Sequence, residues 1–314
     1  MKERSTPNYR MLSEIEIEGH RLVSTLTHSN DSGLPVCFLH GIGGSIYFWT
    51  PEETSLFQNL GSCYSLSLPG HYPAVLPKDF ATASLTAELI AELLSRAIQQ
   101  IVGNRKVLLV GHSTGGFAAL STAIYAPEVV AGIVSIAGFS KGQWTGVLGF
   151  NQWLVRQGSI GRAMFKKIYQ FGGVSQTIYR IFWQAYVHDH TVLFAHPHFN
   201  AVVNSTFPYI RKLDLESMVN YFTVMPQIDI TPYLSKITVP TCLIVGDRDP
   251  TVPPKQSATI AEKITNSDLN VIKGSGHLPF FEKPIEYKRA LDSWLAEFQF
   301  SSLNAKPGFS PVPS

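Results

Sequence analysis

At 314 residues, 45% hydrophobic and 15% charged, the chain carries enough apolar material for an ordered globular body, as one domain with an insertion or as two, and too much for a disordered one. Its formal net charge of +2 lacks the strongly basic balance of a polyanion binder, so no nucleic-acid partner is expected. Cys37, Cys63 and Cys242 each lie in or beside an apolar run, are odd in number and lack metal-ligand spacing, so they read as core packing.

Met1 to Ser13 is charged and polar with no apolar stretch after it, and neither a secretory signal nor a lipid-anchor motif is read there. The longest apolar runs, such as Ala131 to Phe139, fall far short of a membrane span. The expectation is a cytoplasmic protein with no integral membrane segment. Peripheral contact through an exposed apolar surface would leave no such mark and stays open.

Glu14 to Glu18 and Arg21 to Thr27 alternate polar with apolar around Gly19-His20, which predicts an antiparallel hairpin at a sheet edge. Pro35 to Leu39 is continuously apolar and runs into His40-Gly41-Ile42-Gly43-Gly44-Ser45, a central strand entering a glycine-rich loop. That loop matches neither phosphate-cradling glycine pattern, which argues against nucleotide binding. Cys63 to Leu68 predicts another strand, closed by Pro69-Gly70-His71. Ala83 to Ile101 places Leu85, Leu89, Leu93, Ala97 and Ile101 at intervals of four, an amphipathic helix.

Lys106 to Val110 is the next strand, and it enters Gly111-His112-Ser113-Thr114-Gly115 directly, followed by the helical stretch Phe117 to Tyr125. A serine at the apex of a strand–turn–helix sits in strained backbone with its hydroxyl presented outward, and glycines two before and two after remove colliding side chains. Helix N-terminal amides behind it favour an anion. Ser113 is therefore the candidate nucleophile.

Gly132 to Ala137 supplies a further buried strand. From Phe139 to Ile230 no continuous apolar strand is found, only helix-like stretches broken by glycines and rich in aromatics. Alternation resumes with strands at Val239 to Val245 and Asn270 to Lys273, and a helix from Pro284 to Phe298. The pattern predicts an α/β fold, a mostly parallel, doubly wound sheet of about eight strands. Its core spans 1–139 and 231–300, a helical cap spans 140–230, and 301–314, rich in Pro, Ser and Gly, forms a disordered tail.

A serine hydroxyl needs a base within hydrogen-bond reach and a third group to orient that base. Two loops leave the carboxyl ends of parallel strands, where sites form in open sheets. One is Gly246-Asp247-Arg248-Asp249-Pro250, the other Gly274-Ser275-Gly276-His277. The order Ser, Asp, His follows, with Asp247 and Asp249 both candidates for the carboxylate. The amide N–H of Thr114, directly after the nucleophile, is one oxyanion donor.

These motifs, with His40-Gly41 before them and Glu282-Lys283-Pro284 after them, resemble the α/β-hydrolase superfamily over roughly residues 15 to 300, in its esterase- and lipase-like serine hydrolases with a helical cap. The resemblance implies Ser113 as nucleophile, His277 as general base and then acid, and Asp249, the fourth residue of G-x-x-D, as the orienting carboxylate. It places the second oxyanion donor at Ile42, with Gly43 as the alternative, and assigns His40 and His112 to bracing the turns. Ser67-Leu68-Pro69-Gly70-His71 departs from relatives that carry an aspartate before Gly-His-Gly, which alters a loop and not the triad.

His188-Asp189-His190 and His196-Pro197-His198 could suggest a metal, yet H-x-H on a helix turns the rings to different faces and no cysteine joins them, so no metal or other cofactor is expected. The basic tilt of the cap, from Arg156, Arg162, Lys166, Lys167 and Arg180, reads first as a solvated face. The function expected is hydrolysis of an ester or related acyl bond of a small, rather apolar molecule through an acyl-enzyme. Lactonase, thioesterase, carbon–carbon bond hydrolase and acyltransferase chemistry would use the same triad, and a hydrolase-fold ligand sensor is the alternative of a different class.

Overall fold

The computed structural model describes residues 10–304. Eight strands form one sheet: β1 (Arg10–Ile17), β2 (His20–His28), β3 (Val36–Leu39), β4 (Cys63–Leu66), β5 (Val107–His112), β6 (Val130–Ile136), β7 (Thr241–Gly246) and β8 (Ser267–Ile272). They lie in the order β1-β2-β4-β3-β5-β6-β7-β8. Only β2 runs against the rest, pairing antiparallel with β1 and β4, while every pair from β4 to β8 is parallel. The sheet is thus mostly parallel and of eight strands, as the alternation of apolar runs predicts.

The central strands β3, β5 and β7 are buried at every position, which is why they read as unbroken apolar runs. Side-chain alternation still sorts their residues between two layers. Cys37, Leu39, Val107 and Leu109 pack on one face with Ile90, Leu94, Phe117 and Leu120. These come from helices α2 (Ala87–Val102) and α3 (Thr114–Tyr125), which follow the short α1 (Pro51–Ser55). Val36, Phe38, Leu108 and Val110 pack on the other face with Tyr287, Leu291, Trp294 and Phe298.

Between β6 and β7 the chain forms α4 (Gly146–Val155), α5 (Gly158–Gly172), α6 (Gln176–Trp183), α7 (His190–Ala195), α8 (Pro197–Ile210) and α9 (Leu215–Val224). The two ends of this helical insert are tied to each other. Gly142 N–H donates to Ile228 O at 3.0 Å, Ile230 N–H donates to Ser140 O at 2.9 Å, and Lys141 pairs with Asp229 at 3.1 Å. After β7 come α10 (Lys255–Lys263), then β8, α11 (Pro279–Glu282) and α12 (Pro284–Asn304). Gln256, on α10, accepts the Ser140 and Lys141 amides at 3.2 and 2.9 Å and so holds the insert's entry.

Several boundaries differ from the sequence reading by a few residues, β1 for one beginning at Arg10 rather than Glu14, and three of them matter most. Helix α2 begins at Ala87 rather than Ala83, because Thr86 caps it by accepting the Leu89 amide at 3.1 Å. Strand β8 starts at Ser267, three residues early, since an edge strand exposing Asp268 carries no apolar run to mark it. Helix α12 continues to Asn304, so the first four residues of the expected tail are helical, and 305–314 lie outside the described residues, as do 1–9. Among the described residues, no helix is long and apolar enough to cross a membrane.

Candidate active site

Strand β5 ends at His112, helix α3 begins at Thr114, and Ser113 between them has φ 54° and ψ −116°. A non-glycine residue at positive φ is held there only by its surroundings. Here the Ser113 N–H donates to Ile136 O at 2.8 Å and its carbonyl accepts from Phe117 N–H at 3.0 Å. The flanking glycines are required by close approach of backbone. A Cβ on Gly111 would stand 2.2 Å from Gly115 O, and one on Gly115 would stand 2.2 Å from Leu39 O. The Ser113 hydroxyl is buried and makes no hydrogen bond among the described residues.

The loop after β3 stands directly against this turn. A Cβ on Gly41 would meet His112 Nδ1 at 3.2 Å and Ser113 Cβ at 3.3 Å. His40 shapes the loop. Its Nε2 accepts the Leu68 amide at 3.2 Å, which leaves the proton on Nδ1 to donate to Gly41 O at 2.9 Å. Ile42 lines the cavity in front of Ser113. Thr114 opens α3, so its N–H belongs to the first turn, where no intrahelical acceptor exists.

From the end of β8, His277 reaches Asp249 after β7: Nδ1 and Asp249 Oδ2 are 2.6 Å apart, with both side chains out of solvent. The other oxygen, Oδ1, accepts Thr251 N–H at 2.8 Å, Thr251 Oγ1 at 3.0 Å and Val252 N–H at 2.9 Å. Burial pushes the Asp249 carboxyl up, but His277 and these N–H donors outweigh it and hold the group below the usual aspartate value. Asp247 does different work. It accepts the Gly274 amide at 2.7 Å and lies 3.7 Å from the Lys273 ammonium, stapling the two strand ends.

The neighbouring histidines are internal fittings. His112 Nε2 donates to His277 O at 3.0 Å, and burial with the nearby His277 pushes its imidazole down to about 3. Burial likewise lowers His40 to about 4, and His71 falls well below the ordinary 6.5. All three are neutral in the folded chain near neutral pH. Below about pH 6.5 the unfolded chain takes up protons that the folded chain refuses. Stability is therefore full above that pH and falls as the pH drops toward 4. Urea midpoints between about pH 7 and pH 5 should decrease steadily; a flat profile would contradict this reading.

One buried acid was missed by sequence reasoning. Glu282 is buried, and its Oε1 accepts the Gly276 amide at 2.8 Å, while Oε2 accepts His188 N–H at 2.8 Å and Asp189 N–H at 3.1 Å. Beside it, His277 N–H donates to Tyr186 O at 2.9 Å. The histidine loop is thereby bonded to the helical insert. On the opposite side Thr145 N–H donates to Thr251 O at 2.8 Å, two residues from Asp249. Only the motif Glu282-Lys283-Pro284 hinted at Glu282, and a carboxylate's acceptor role toward a distant loop has no local signature.

Ser113, His277, Ile42 and the glycines of the loop after β3 share a cleft of about 1090 Å³, counted with its space open to solvent. Its walls are apolar and aromatic, including Phe48, Leu278, Ile168, Tyr169, Phe182 and Trp183, and no Lys, Arg, Asp or Glu lines it among the described residues. The aromatics of the insert divide between two roles. Phe165, Phe199 and Phe222 are core, whereas Tyr169, Tyr179, Trp183 and Tyr186 face the cleft. Among the described residues no group of three or more His, Cys, Asp or Glu could hold a metal. Asp189 instead caps α7, accepting the Thr191 amide at 2.9 Å.

An eight-stranded, mostly parallel sheet with a serine turn after its central strand and a His–Asp pair at the same edge defines a class of proteins, and the sequence agrees with it. A sequence model described as the alpha/beta hydrolase fold matches residues 35–284, and the chain belongs to that family. It is similar to RutD of Pseudomonas syringae pv. syringae (strain B728a), named for carbamate hydrolysis, at 25% identity over 257 residues, 82% of this chain and 91% of the relative. It is also similar to the pimeloyl-acyl-carrier-protein methyl ester esterase of Wigglesworthia glossinidia brevipalpis, at 21% identity over 268 residues, 83% of this chain and 93% of that one. A solved esterase from Thermogutta terrifontis shares the fold, with a TM-score of 0.68 at 20% identity, covering 92% of this chain and 99% of its own.

Proposed function

We propose that this α/β hydrolase is a serine hydrolase that cleaves a carboxylic ester, or a related acyl bond, of a small and rather apolar molecule through an acyl-enzyme. The observation that carries the reading is the buried 2.6 Å contact between His277 Nδ1 and Asp249, with His277 and Ser113 lining one uncharged cleft. Ser113 Oγ attacks the substrate carbonyl and its proton passes to His277 Nε2. The Ile42 and Thr114 amides hold the oxyanion. Collapse expels the alcohol, which takes the proton from His277, and a water activated by His277 then releases the acid and restores Ser113. Every catalytic group in this cycle belongs to the chain and water is the co-reactant, so the reaction calls for no cofactor.

The helical insert acts as a cap whose inner face selects the substrate. Relatives named for a carbamate and for a methyl ester both point to acyl bonds to a heteroatom, which one triad can serve alike. A neutral, apolar acyl or alcohol part suits a wall with no charged side chain, because a buried unpaired carboxylate would lose its hydration without compensation. Three buried free thiols, Cys37, Cys63 and Cys242, suit a cytoplasmic setting.

The test is a hydrolysis screen of neutral acyl esters of graded chain length, with thioester and lactone members and with matched anionic esters, run beside labelling by a fluorophosphonate. Turnover of neutral esters well above that of their anionic matches, with covalent labelling, is expected. A protein that binds such esters but neither turns them over nor takes the label would be a ligand sensor instead.

A further inference from the structure

The outer surface of the helices that wall the cleft is unlike the rest of the molecule. Helices α4 to α6, residues 146–183, expose Phe150, Trp153, Ile160, Met164, Phe171 and Ile181, more than half of the side chain being bare at Trp153 (56%) and Ile160 (74%). On α5, Ile160, Met164, Lys167 and Phe171 recur at helical spacing and form one outward stripe, next to the inward stripe of Gly161, Phe165, Ile168 and Gly172. On α4 the Phe150 and Trp153 rings lie 5.7 Å apart. Monomeric soluble proteins seldom leave so many large apolar groups bare on neighbouring elements.

Charge on the same helices is one-sided. Residues 146–183 hold five basic side chains, Arg156, Arg162, Lys166, Lys167 and Arg180, and no acidic one, in a chain that is otherwise close to balanced. Lys166 pairs with Glu216, and Arg180 bonds Asn200 and lies over the Phe194 and Phe199 rings. Arg156, Arg162 and Lys167 are exposed and have no acidic partner among the described residues. Apolar side chains with a Trp among them, with Lys167 inside the α5 stripe and Arg156 and Arg162 elsewhere on the exposed side of the same segment, form the pattern of a helical face that rests in the boundary between headgroups and acyl chains of an anionic bilayer.

We propose that the outer face of α4 to α6 docks on an anionic lipid surface. A second copy of the chain fits this face less well, because two-fold pairing would set these cations against themselves. A nucleic acid would gain nothing from Ile160, Met164 and Ile181, which neither stack on bases nor pair with phosphate. The docked face is one helix layer away from the cleft, since the inner sides of the same helices supply Val147, Ile168, Tyr179 and Trp183 to its wall. Docking therefore brings the cleft to the place where apolar esters accumulate. The surface proposal stands apart from the serine chemistry and can be tested without it.

The experiment is co-sedimentation of the full chain with vesicles of phosphatidylcholine alone and with vesicles of equal parts phosphatidylcholine and phosphatidylglycerol. Binding is expected to the second kind, weakening as salt is raised. Each of Arg156→Gln, Arg162→Gln and Lys167→Gln should weaken it by about fivefold, and the triple variant by about a hundredfold. Ile160→Glu should weaken it by at least about tenfold through lost apolar contact. None of these residues lines the cleft, so turnover of a water-soluble ester and the thermal transition should be unchanged, which separates lost docking from lost folding. No sedimentation with phosphatidylglycerol, or equal binding to both vesicles that the triple variant retains, would overturn the proposal. So would a concentration-dependent dimer that Ile160→Glu dissolves, since a second copy would then cover the face.

Discussion

Ser113→Ala is expected to lower kcat by about 10⁴- to 10⁶-fold, the range set by removal of an activated nucleophile with the oxyanion donors and the pocket left in place. KM should move little, because the cleft walls are untouched, and fluorophosphonate labelling should vanish. The fold should survive. The turn is held by the Ser113 backbone bonds to Ile136 and Phe117 and by close contact of the flanking glycines with backbone, and among the described residues the hydroxyl makes no hydrogen bond that the variant would lose. A variant that keeps turnover within about tenfold of the parent, measured on the same ester, would remove Ser113 from the chemistry.

The second large effect separates two aspartates two residues apart. Asp249→Asn should cost about 10⁴-fold in kcat, and Asp247→Asn less than about tenfold. The reason lies in the three donors around Asp249 Oδ1, the Thr251 amide and hydroxyl and the Val252 amide. In the asparagine variant these donors claim the carboxamide oxygen, so its NH₂ faces His277 Nδ1. That nitrogen must then accept, the ring proton moves to Nε2, and the imidazole can no longer take a proton from Ser113. At position 247 an asparagine oxygen still accepts the Gly274 amide, and only an exposed 3.7 Å contact with Lys273 is lost. Paired rate measurements on the two variants decide it; a larger loss at 247 would reverse the assignment.

Much of the sheet was legible because its strands are buried on both faces and spell unbroken apolar runs, as Val107-Leu108-Leu109-Val110 does. The turn that carries Ser113 was legible for a related reason. A strand, a tight turn and a helix are all local, and the glycines at 111 and 115 advertise backbone contact. The boundary of β8 was not, since Ser267-Asp268-Leu269-Asn270 carries no unbroken apolar run and its pairing with β7 depends on a partner far away in sequence. The choice between Asp247 and Asp249 needed the family pattern, because both follow β7 within one loop and only the path of the chain shows which carboxylate meets His277. The two roles of the insert's aromatics were equally hidden. Phe165 and Tyr169 lie one helical turn apart, and only tertiary packing sends one into the core and the other to the cleft.

Bonds that join the insert to the sheet fall beside the loops of Asp249 and His277: Thr145 to Thr251 near Asp249, Tyr186 to His277, and His188 and Asp189 to Glu282. Helices α4 to α6 span the interval between these two anchors. Breaking the bond from His277 N–H to Tyr186 O would strip a buried amide of its acceptor at about 1–3 kcal/mol, and none of these anchor bonds has its donor or acceptor on α4 to α6. Substitutions in α4 to α6 should therefore change the cleft wall that those helices line without disturbing the hydrogen bonds that seat Asp249 and His277.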